Sequence, residues 1–312
     1  MNSAFDQTAC EFLEAGAELA TLEDGEAACN ETPLPVIVRG ERTISAAAQP
    51  WNSATTLFIA RQLAELGGGR PLSVLDVGCG DGAALDLLAN LGHDMYGYDL
   101  ASRGESLRRR LGPRLGAEFE DRIRIAPDER TIPFEDNAFD VIYANQVFEH
   151  VRFFDQIVSE CARVLRPGGA LITLFPLATD PVEPHLRIPF AHWLPPGGFR
   201  RAYFWPFYAL RLRPRAAGET ARQTARRQDE SLADGVYYRF MNEVRSVILH
   251  YFVSMDVATG DYLRAKIDLL RGRPRRLPRL IAAALDTVDG PAVAWLATHL
   301  LCGALVVRNP RK

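Results

Sequence analysis

Strand-like and helix-like segments alternate between Pro71 and Pro176, and this alternation constrains the fold more than any other feature of the chain. Most of the strand-like segments are continuous apolar runs, as expected for strands that helices cover on both faces. The candidate strands are Ser73–Val77, Asp94–Asp99, Ile123–Ala126, Phe139–Ala144 and Ala170–Phe175, and the candidate helices between them are Ala83–Leu91, Ser102–Leu111 and Asp155–Leu165. The alternation predicts an α/β protein with a doubly wound, mostly parallel sheet.

The flanking segments predict where this core begins and where it is interrupted. Residues 1–51 are acidic and broken by proline, and we interpret them as an N-terminal accessory cap. A helix predicted from Asn52 to Leu66 opens a main domain over 52–312, and an insertion rich in proline and aromatic residues interrupts it at about 177–238. Later segments complete a seven-stranded sheet, with strands at Phe252–Val257 and Ala304–Val307 and helices at Tyr238–Tyr251, Leu277–Asp286 and Ala292–Leu301.

The formal net charge of −3 conceals an uneven distribution of charge. Residues 1–60 carry nine acidic and two basic side chains, whereas residues 200–312 carry ten acidic and twenty basic ones. The basic part is typical either of a solvated face or of a contact with an anionic substrate or surface. Lys266 and Lys312 are the only lysines, which excludes a lysine base or Schiff base in the N-terminal half of the chain.

The cysteines and the apolar segments bear on the cellular location. Met1–Ala20 is acidic and mixed, unlike a secretory signal, and the most apolar stretch, Pro291–Val307, is seventeen residues long, whereas a membrane span needs about 20. Five cysteines are scattered without a C-x-x-C pair: Cys10, Cys29, Cys79, Cys161 and Cys302. We therefore expect a reduced, cytoplasmic protein, with peripheral contact at the inner membrane face as an additional hypothesis.

A glycine-rich turn follows the first candidate strand, in the string Val74-Leu75-Asp76-Val77-Gly78-Cys79-Gly80-Asp81-Gly82. Glycines let a ligand approach the backbone, and the start of the next helix offers free N–H groups to an anionic ligand group. Asp99 ends the next strand, where a carboxylate can accept hydrogen bonds from both hydroxyls of a ribose. The spacing Gly78-x-Gly80-x-x-Ala83 also fits a relaxed dinucleotide fingerprint, so spacing alone leaves two nucleotide cofactors open.

Three further features separate these alternatives. Asp76 precedes the turn, where it either orders the turn or meets a cationic amino group through water. The other two features are the runs Pro127-Asp128-Glu129…Ile132-Pro133-Phe134…Phe139-Asp140 and Arg163-Val164-Leu165-Arg166-Pro167-Gly168-Gly169. Together with the glycine turn, they resemble the class I S-adenosylmethionine-dependent methyltransferases, over Leu72 to Pro176.

The resemblance implies a Rossmann-like fold, S-adenosyl-L-methionine as cofactor, and a set of cofactor-binding residues. Gly78, Gly80 and the backbone at Cys79 would hold the methionine part, and Asp99 the ribose. The remaining cofactor positions are Asp76, Leu100 beside the adenine, Asp128 beside the adenine amino group, Glu129 directly after it, and Asn145 facing the cofactor. Pro127 departs from the family, where small residues are common, and a proline lacks the backbone donor.

Methyl transfer from a sulfonium is an in-line displacement, in which a hydroxyl nucleophile also needs a base. His150 follows the fourth strand, and His185 and His192 lie in the segment where the family builds acceptor pockets, so these three are the candidate bases. Each has the alternative of a purely structural role. Glu183, His185 and His192 have no helical metal-binding spacing, so we expect no metal.

The insertion combines aromatic and basic residues between residues 190 and 215. It fits a lid with solvated arginines, a membrane-surface patch, or nucleic-acid binding by stacking, and the acidic chain disfavours the last of these. We expect methylation, at oxygen rather than nitrogen, of a small-molecule, glycan or lipid-linked acceptor. The alternatives are an NAD-linked oxidoreductase, which the lack of a Tyr-x-x-x-Lys pair weakens, and a non-catalytic cofactor-binding protein.

Overall fold

A computed structural model of the chain describes residues 54–272 and 303–312. These residues fall into two compact units. The inserted unit consists of residues 180–236, and the sheet unit consists of residues 54–179, 237–272 and 303–312. No helix among the described residues is long and apolar enough to cross a membrane.

The sheet unit is built on one seven-stranded sheet. Its strands are β1 Ser73–Val77, β2 Asp94–Leu100, β3 Ile123–Ala126, β4 Phe139–Asn145, β5 Leu165–Phe175, β8 Phe252–Val257 and β9 Gly303–Pro310. They lie side by side in the order β3-β2-β1-β4-β5-β9-β8. The first five strands in the chain pair in parallel, and β9 runs antiparallel to both of its neighbours. This sheet confirms the predicted fold class.

Helices cover both faces of the sheet and enclose two hydrophobic cores. They are α1 Ala54–Gly67, α2 Ala83–Ala89, α3 Gly104–Leu115, α4 Phe119–Arg122, α5 Phe154–Val164, α8 Met241–Tyr251 and α9 Thr259–Gly272. Leu75 and Ile142 contribute to the core on one face together with Val244 of α8, whereas Val74 contributes to the other core together with Leu57 of α1. Burial on both faces explains why the strands are continuous apolar runs in the sequence.

The strand order reverses between β1 and β4, which are neighbours in the sheet. In sheets of this kind, ligands bind outside the carboxyl ends of the strands at such a switch point. The glycine-rich turn follows the carboxyl end of β1, and Asn145 is the last residue of β4. The fold therefore brings the predicted cofactor residues to one edge of the sheet.

The inserted unit consists of a short hairpin and two helices. Strands β6 Val182–Glu183 and β7 Ile188–Pro189 pair antiparallel, followed by α6 Gly198–Ala209 and α7 Ala221–Gly235. Thr220 starts α7 with a capping box, in which its hydroxyl and the Gln223 side chain each bond the other residue's backbone N–H.

The structure differs from the sequence expectations in several elements. β1, β3 and β8 have the predicted bounds, but β5 begins at Leu165 rather than Ala170, because Leu165 pairs with Phe139 before the register shifts. Helices α4, α6, α7 and α9 were not predicted. The accessory cap at 1–51 and the predicted helices at 277–286 and 292–301 lie outside the described residues.

Candidate functional site

The glycine-rich turn is fastened to the end of β2 by hydrogen bonds. The N–H groups of Gly78 and Cys79 both donate to the carbonyl oxygen of Tyr98, at 2.8 and 3.1 Å. The N–H of Gly80 donates to the Asp99 carboxylate at 2.6 Å. The turn therefore has a fixed position relative to Asp99.

The next two hydrogen bonds complete the entry into α2. The N–H of Gly82 donates to the carbonyl oxygen of Cys79 at 2.8 Å, and that of Ala83 donates to the Asp81 carboxylate at 3.0 Å. We expected free N–H groups here for an anionic ligand group. That expectation is wrong for the N–H groups of Gly82 and Ala83, because protein acceptors already hold them.

Two glycines of the turn are required for different reasons. Gly78 has φ +73°, and a Cβ atom there would lie 2.4 Å from the Val147 side chain, so the loop after β4 packs directly on the turn. Gly80 has φ +57°, but a Cβ atom there would meet nothing within 4 Å. The space beside Gly80 is thus open, and a side chain would fill it.

Asp99 is held in place at the carboxyl end of β2. In addition to the Gly80 bond, its carboxylate accepts the N–H of Leu100 at 2.7 Å. A carboxylate has about four acceptor positions, so it can accept hydroxyl donors in addition to backbone N–H groups. Asp99 is half-buried and bonded to Gly80, beside the open space there.

Asp76 forms a buried pair with a residue that the sequence did not single out. It lies opposite Tyr143 of β4 in the parallel ladder, and the Tyr143 hydroxyl donates to its carboxyl group. Burial raises the pKa of Asp76 well above its usual value, despite the lowering by the Tyr143 hydrogen bond. Burial also raises the pKa of Tyr143. None of the turn's hydrogen bonds described above goes to Asp76, so its described partner lies across the sheet rather than in the turn.

Cys79 contributes its backbone rather than its thiol. The side chain is buried, and burial raises the pKa of the thiol well above its usual value, with a further increase from the charges of Asp76 and Asp99. A thiol held protonated is a poor nucleophile.

The predicted adenine-side residues lie at the carboxyl ends of β2 and β3, and Asn145, predicted to face the cofactor, lies at that of β4. Leu100 ends β2 and Asn145 ends β4, both half-buried. Asp128 is exposed just after β3, and its carboxylate accepts the N–H of Arg130 at 2.9 Å. Its carbonyl oxygen accepts the Tyr98 hydroxyl at 3.1 Å, which fixes this loop to β2.

Glu129 is engaged in a different contact from its neighbour. Its carboxylate accepts the N–H groups of Arg152 and Phe153, at 2.8 and 3.3 Å, just before α5 begins. Bonds of this kind satisfy N–H groups at a helix start. The side chain thus stabilises the entry to α5, and a role beside the adenine stays a prediction.

Comparisons with known proteins agree with this geometry. Residues 75–173 match the family described as methyltransferase domain. The sheet unit carries a class I S-adenosylmethionine-dependent methyltransferase domain. Its cofactor class is therefore S-adenosylmethionine, as the resemblance predicted.

Individual relatives match only part of their length. A probable S-adenosylmethionine-dependent methyltransferase of Mycolicibacterium smegmatis is 33% identical over 149 residues, which are 47% of this chain and 54% of the relative. A ubiquinone biosynthesis O-methyltransferase of Bordetella avium is 33% identical over 96 residues, or 31% of this chain and 39% of the relative. The chain thus spans about half the length, or less, of these curated relatives.

A solved structure shows a weaker likeness over more of the chain. The putative sarcosine dimethylglycine methyltransferase of Galdieria sulphuraria is 18% identical, covers 81% of this chain and 84% of its own, and has a TM-score of 0.42.

The three candidate histidines lie in two different units. His150 belongs to the methyltransferase domain, where its N–H donates to the carbonyl oxygen of Val147 at 2.9 Å. His185 and His192 belong to the inserted unit. His192 is half-buried, with its ring edge-on to that of Trp193 at 6.0 Å.

His185 is held by a buried carboxylate. Its Nδ1 atom lies 2.7 Å from Oε1 of Glu183, and both side chains are buried. Glu183 also accepts the N–H of Leu186, which fixes the carboxylate itself. A carboxylate on one ring nitrogen sets the orientation and tautomer of an imidazole and leaves the other nitrogen to accept a proton.

Sequence reasoning missed the residues that position the site. Tyr98, Tyr143 and Val147 fix the turn and its neighbours, yet each is one apolar or aromatic residue in an apolar segment. Asp76 carried a signal, because a carboxyl group inside a buried strand needs a hydrogen-bond partner. That partner depends on the register between β1 and β4, which the sequence does not encode locally.

Proposed function

We propose that this protein transfers the methyl group of S-adenosylmethionine to an oxygen atom of a small-molecule, glycan or lipid-linked acceptor. The observation that carries the proposal is the Gly80–Asp99 hydrogen bond at 2.6 Å beside the open space at Gly80. It combines a carboxylate suited to ribose hydroxyls with room for a ligand against the backbone.

The residues of this edge fit S-adenosylmethionine. Asp99 would accept the ribose hydroxyls, and the turn at Gly78, Cys79 and Gly80 would contact the methionine part. Leu100, Asp128, Glu129 and Asn145 complete the proposed cofactor set. Asp76 would act on the cationic amino group through water, since it lies in β1 two residues before the turn.

S-adenosylmethionine supplies an electrophilic methyl group on a positively charged sulfur. The acceptor oxygen forms a bond to this carbon as the carbon–sulfur bond breaks, and the sulfur leaves as a neutral thioether. The protein's work is to align the reacting atoms, exclude water and take up the hydroxyl proton.

We propose His185 as the base that takes this proton. The Glu183 carboxylate orients its ring through Nδ1, which is the arrangement of a base held by a third group. His150 and His192 are the alternatives.

Two observations favour an oxygen acceptor with amphiphilic character. The Bordetella avium relative and a Maricaulis maris relative that is 34% identical over 110 residues are both described as ubiquinone biosynthesis O-methyltransferases. The inserted unit exposes several large apolar side chains, including Phe190 and Trp193. An acceptor with an apolar part is consistent with both.

The NAD-linked alternative is less well supported by the turn. Dinucleotide folds bind the pyrophosphate with backbone N–H groups at the start of the helix. Here the N–H groups of Gly78, Cys79, Gly80, Gly82 and Ala83 are bonded to protein acceptors.

Transfer is tested by incubating the full chain with S-adenosylmethionine and candidate acceptors and following product mass. We expect an acceptor to gain one CH₂ unit while S-adenosylhomocysteine forms in equal amount. Cofactor binding without S-adenosylhomocysteine formation, across phenolic, glycan and lipid-linked acceptors, would instead favour a non-catalytic binding protein.

The base is tested in parallel with four variants: His185→Ala, Glu183→Gln, His150→Ala and His192→Ala. His185→Ala is expected to lower turnover by about a hundredfold to ten-thousandfold at unchanged cofactor affinity. Glu183→Gln should lower it less, and His192→Ala should leave it nearly unchanged. Normal turnover in His185→Ala would reject this assignment, and a large loss in His150→Ala would transfer it to that residue.

A further inference from the structure

Helix α6 of the inserted unit buries a charged side chain and exposes large aromatic ones. It buries Arg200 together with Phe204 and Tyr208, which are spaced four residues apart and so share one face. The Arg200 guanidinium is held by Asp229 of α7, with Nε 2.6 Å from the carboxylate and a second nitrogen 2.7 Å from the carbonyl oxygen. This buried ion pair fixes which face of α6 points inward.

The opposite face of α6 and the residues after it are exposed and apolar. Phe199 is 70% exposed, Trp205 44%, Leu210 71% and Leu212 58%. We call these four residues the α6 surface. Single exposed apolar residues are ordinary, but four large ones within the fourteen residues from Phe199 to Leu212 are typical of an interaction surface.

The chain around the α6 surface is strongly basic. Residues 184–218 contain six arginines and no acidic residue. Arg211, Arg213 and Arg215 alternate with or follow the exposed leucines, and within the described part of the chain none of the three pairs with a carboxylate. Arg213 donates to the carbonyl oxygens of Leu186 and Arg187, which holds its side chain in place.

We propose that the inserted unit binds the surface of an anionic membrane through the α6 surface, without crossing the membrane. Aromatic side chains partition to the headgroup region, and nearby arginines gain from anionic lipid. A second copy of this chain would bring the same positive charges together, which charge complementarity opposes. The proposal rests on the inserted unit alone and holds whether or not the chain transfers methyl groups.

The test is cosedimentation of the full chain with phosphatidylcholine vesicles, with and without phosphatidylglycerol. We expect binding only to the anionic vesicles, and weaker binding as salt is raised. Arg211→Gln should weaken the affinity about fivefold, and Phe199→Ser or Trp205→Ser about tenfold. Matched controls are Val253→Ser, which removes a similarly exposed apolar residue of the sheet unit, and Arg245→Gln, which removes an exposed arginine there.

Two readouts distinguish membrane binding from self-association. Brominated lipid should quench tryptophan emission in the wild-type protein and less in Trp205→Phe, which keeps the apolar face. Absence of binding to anionic vesicles at low salt, or binding that the Phe199, Trp205 and Arg211 variants leave unchanged, would overturn the proposal. Salt-resistant self-association that Phe199→Ser abolishes would instead assign the α6 surface to a second copy.

Discussion

The sheet unit and the inserted unit differ in the polar groups that they bury and in the number of aromatic side chains that they expose. The sheet unit buries apolar strands and has the proposed cofactor residues at one edge. Its internal polar pair, Asp76 and Tyr143, is joined by a hydrogen bond, and burial raises the pKa of both groups. The inserted unit buries the Arg200–Asp229 ion pair and exposes Phe199 and Trp205.

The two units therefore differ in what their buried residues contribute to stability. Burial of apolar area stabilises the sheet unit, at roughly 25 cal/mol per Å². A buried ion pair is by contrast weak evidence for stability, because desolvation of both charges offsets their attraction. In the sheet unit, the hydrophobic cores and the proposed cofactor site therefore constrain which residues are allowed. In the inserted unit, the proposed membrane contact constrains the exposed residues.

The largest change in the free energy of unfolding is expected when the ion pair of the inserted unit is broken. Asp229→Ala leaves the Arg200 charge buried without its carboxylate, and we expect a loss of about 3–5 kcal/mol in the free energy of unfolding. Glu230→Ala on the same helix removes an exposed carboxylate and should cost about 1 kcal/mol or less. Urea denaturation measures both, and equal losses would show that the buried pair is not what holds α6 to α7.

The pH dependence of this effect has a defined sign. Burial raises the pKa of Asp229, but hydrogen bonds from Arg201, Arg200 and the Gly197 N–H outweigh it and leave the pKa below its usual value. The stabilisation is therefore present above the unfolded carboxyl pKa of about 3.9 and is lost as pH falls through the lower folded value. The difference between wild type and Asp229→Ala should shrink in acid.

The next largest changes in stability are expected from substitutions in the glycine-rich turn of the sheet unit. Gly78→Ala combines a positive φ with overlap against Val147 and should cost about 2–4 kcal/mol of stability. Gly80→Ala has only the backbone penalty, about 1–2 kcal/mol, but it places a methyl group in the proposed cofactor space. We expect Gly80→Ala to lose cofactor affinity out of proportion to stability, and calorimetry beside thermal melting tests this.

Tyr143→Phe probes the buried hydrogen bond of the sheet unit. It removes the donor to Asp76 without changing much volume, and we expect a loss of about 1–3 kcal/mol. Tyr98→Phe is the matched control, because the Tyr98 hydroxyl bonds the carbonyl oxygen of an exposed residue, Asp128. A smaller loss in Tyr143→Phe than in Tyr98→Phe would contradict the pair's importance.

Asp76→Asn is expected to change the free energy of unfolding least in acid and progressively more as pH rises. The folded pKa of Asp76 is raised, so wild-type stability from this group is complete below the unfolded pKa of about 3.9 and falls as pH rises toward the folded value. Asparagine does not titrate. The variant should therefore gain stability relative to wild type between acidic and neutral pH, whereas parallel curves would mean that Asp76 titrates normally.

The two units also differ in how much of them the sequence predicts. In the sheet unit, apolar runs such as Ser73–Val77 and Ile123–Ala126 end at glycine or proline, so their bounds follow from local pattern. In the inserted unit, Pro206 lies inside α6, and its buried face carries Arg200, so neither composition nor periodicity marks a helix. The Thr220–Gln223 capping box was a usable signal for α7.

The same contrast applies to the candidate site. Gly78, Gly80 and Asp99 are close in sequence, so the motif that carries the family resemblance is enough to predict them as cofactor residues. The Tyr143–Asp76 bond and the Val147 contact depend on the pairing of β1 with β4, which long-range packing determines. Glu183 and His185 are two residues apart in the sequence, but their spacing does not show that a hydrogen bond joins them.

The central claim is that Asp99 and the glycine turn bind S-adenosylmethionine, and calorimetry tests it most directly. Wild type should bind S-adenosylhomocysteine and not NAD, and Asp99→Ala should lose at least about a hundredfold in affinity, since two charge-assisted hydrogen bonds to the ribose are removed. Asp94→Ala, at the opposite end of β2, should bind normally. Binding of NAD by wild type, or S-adenosylhomocysteine affinity unchanged in Asp99→Ala, would contradict the account.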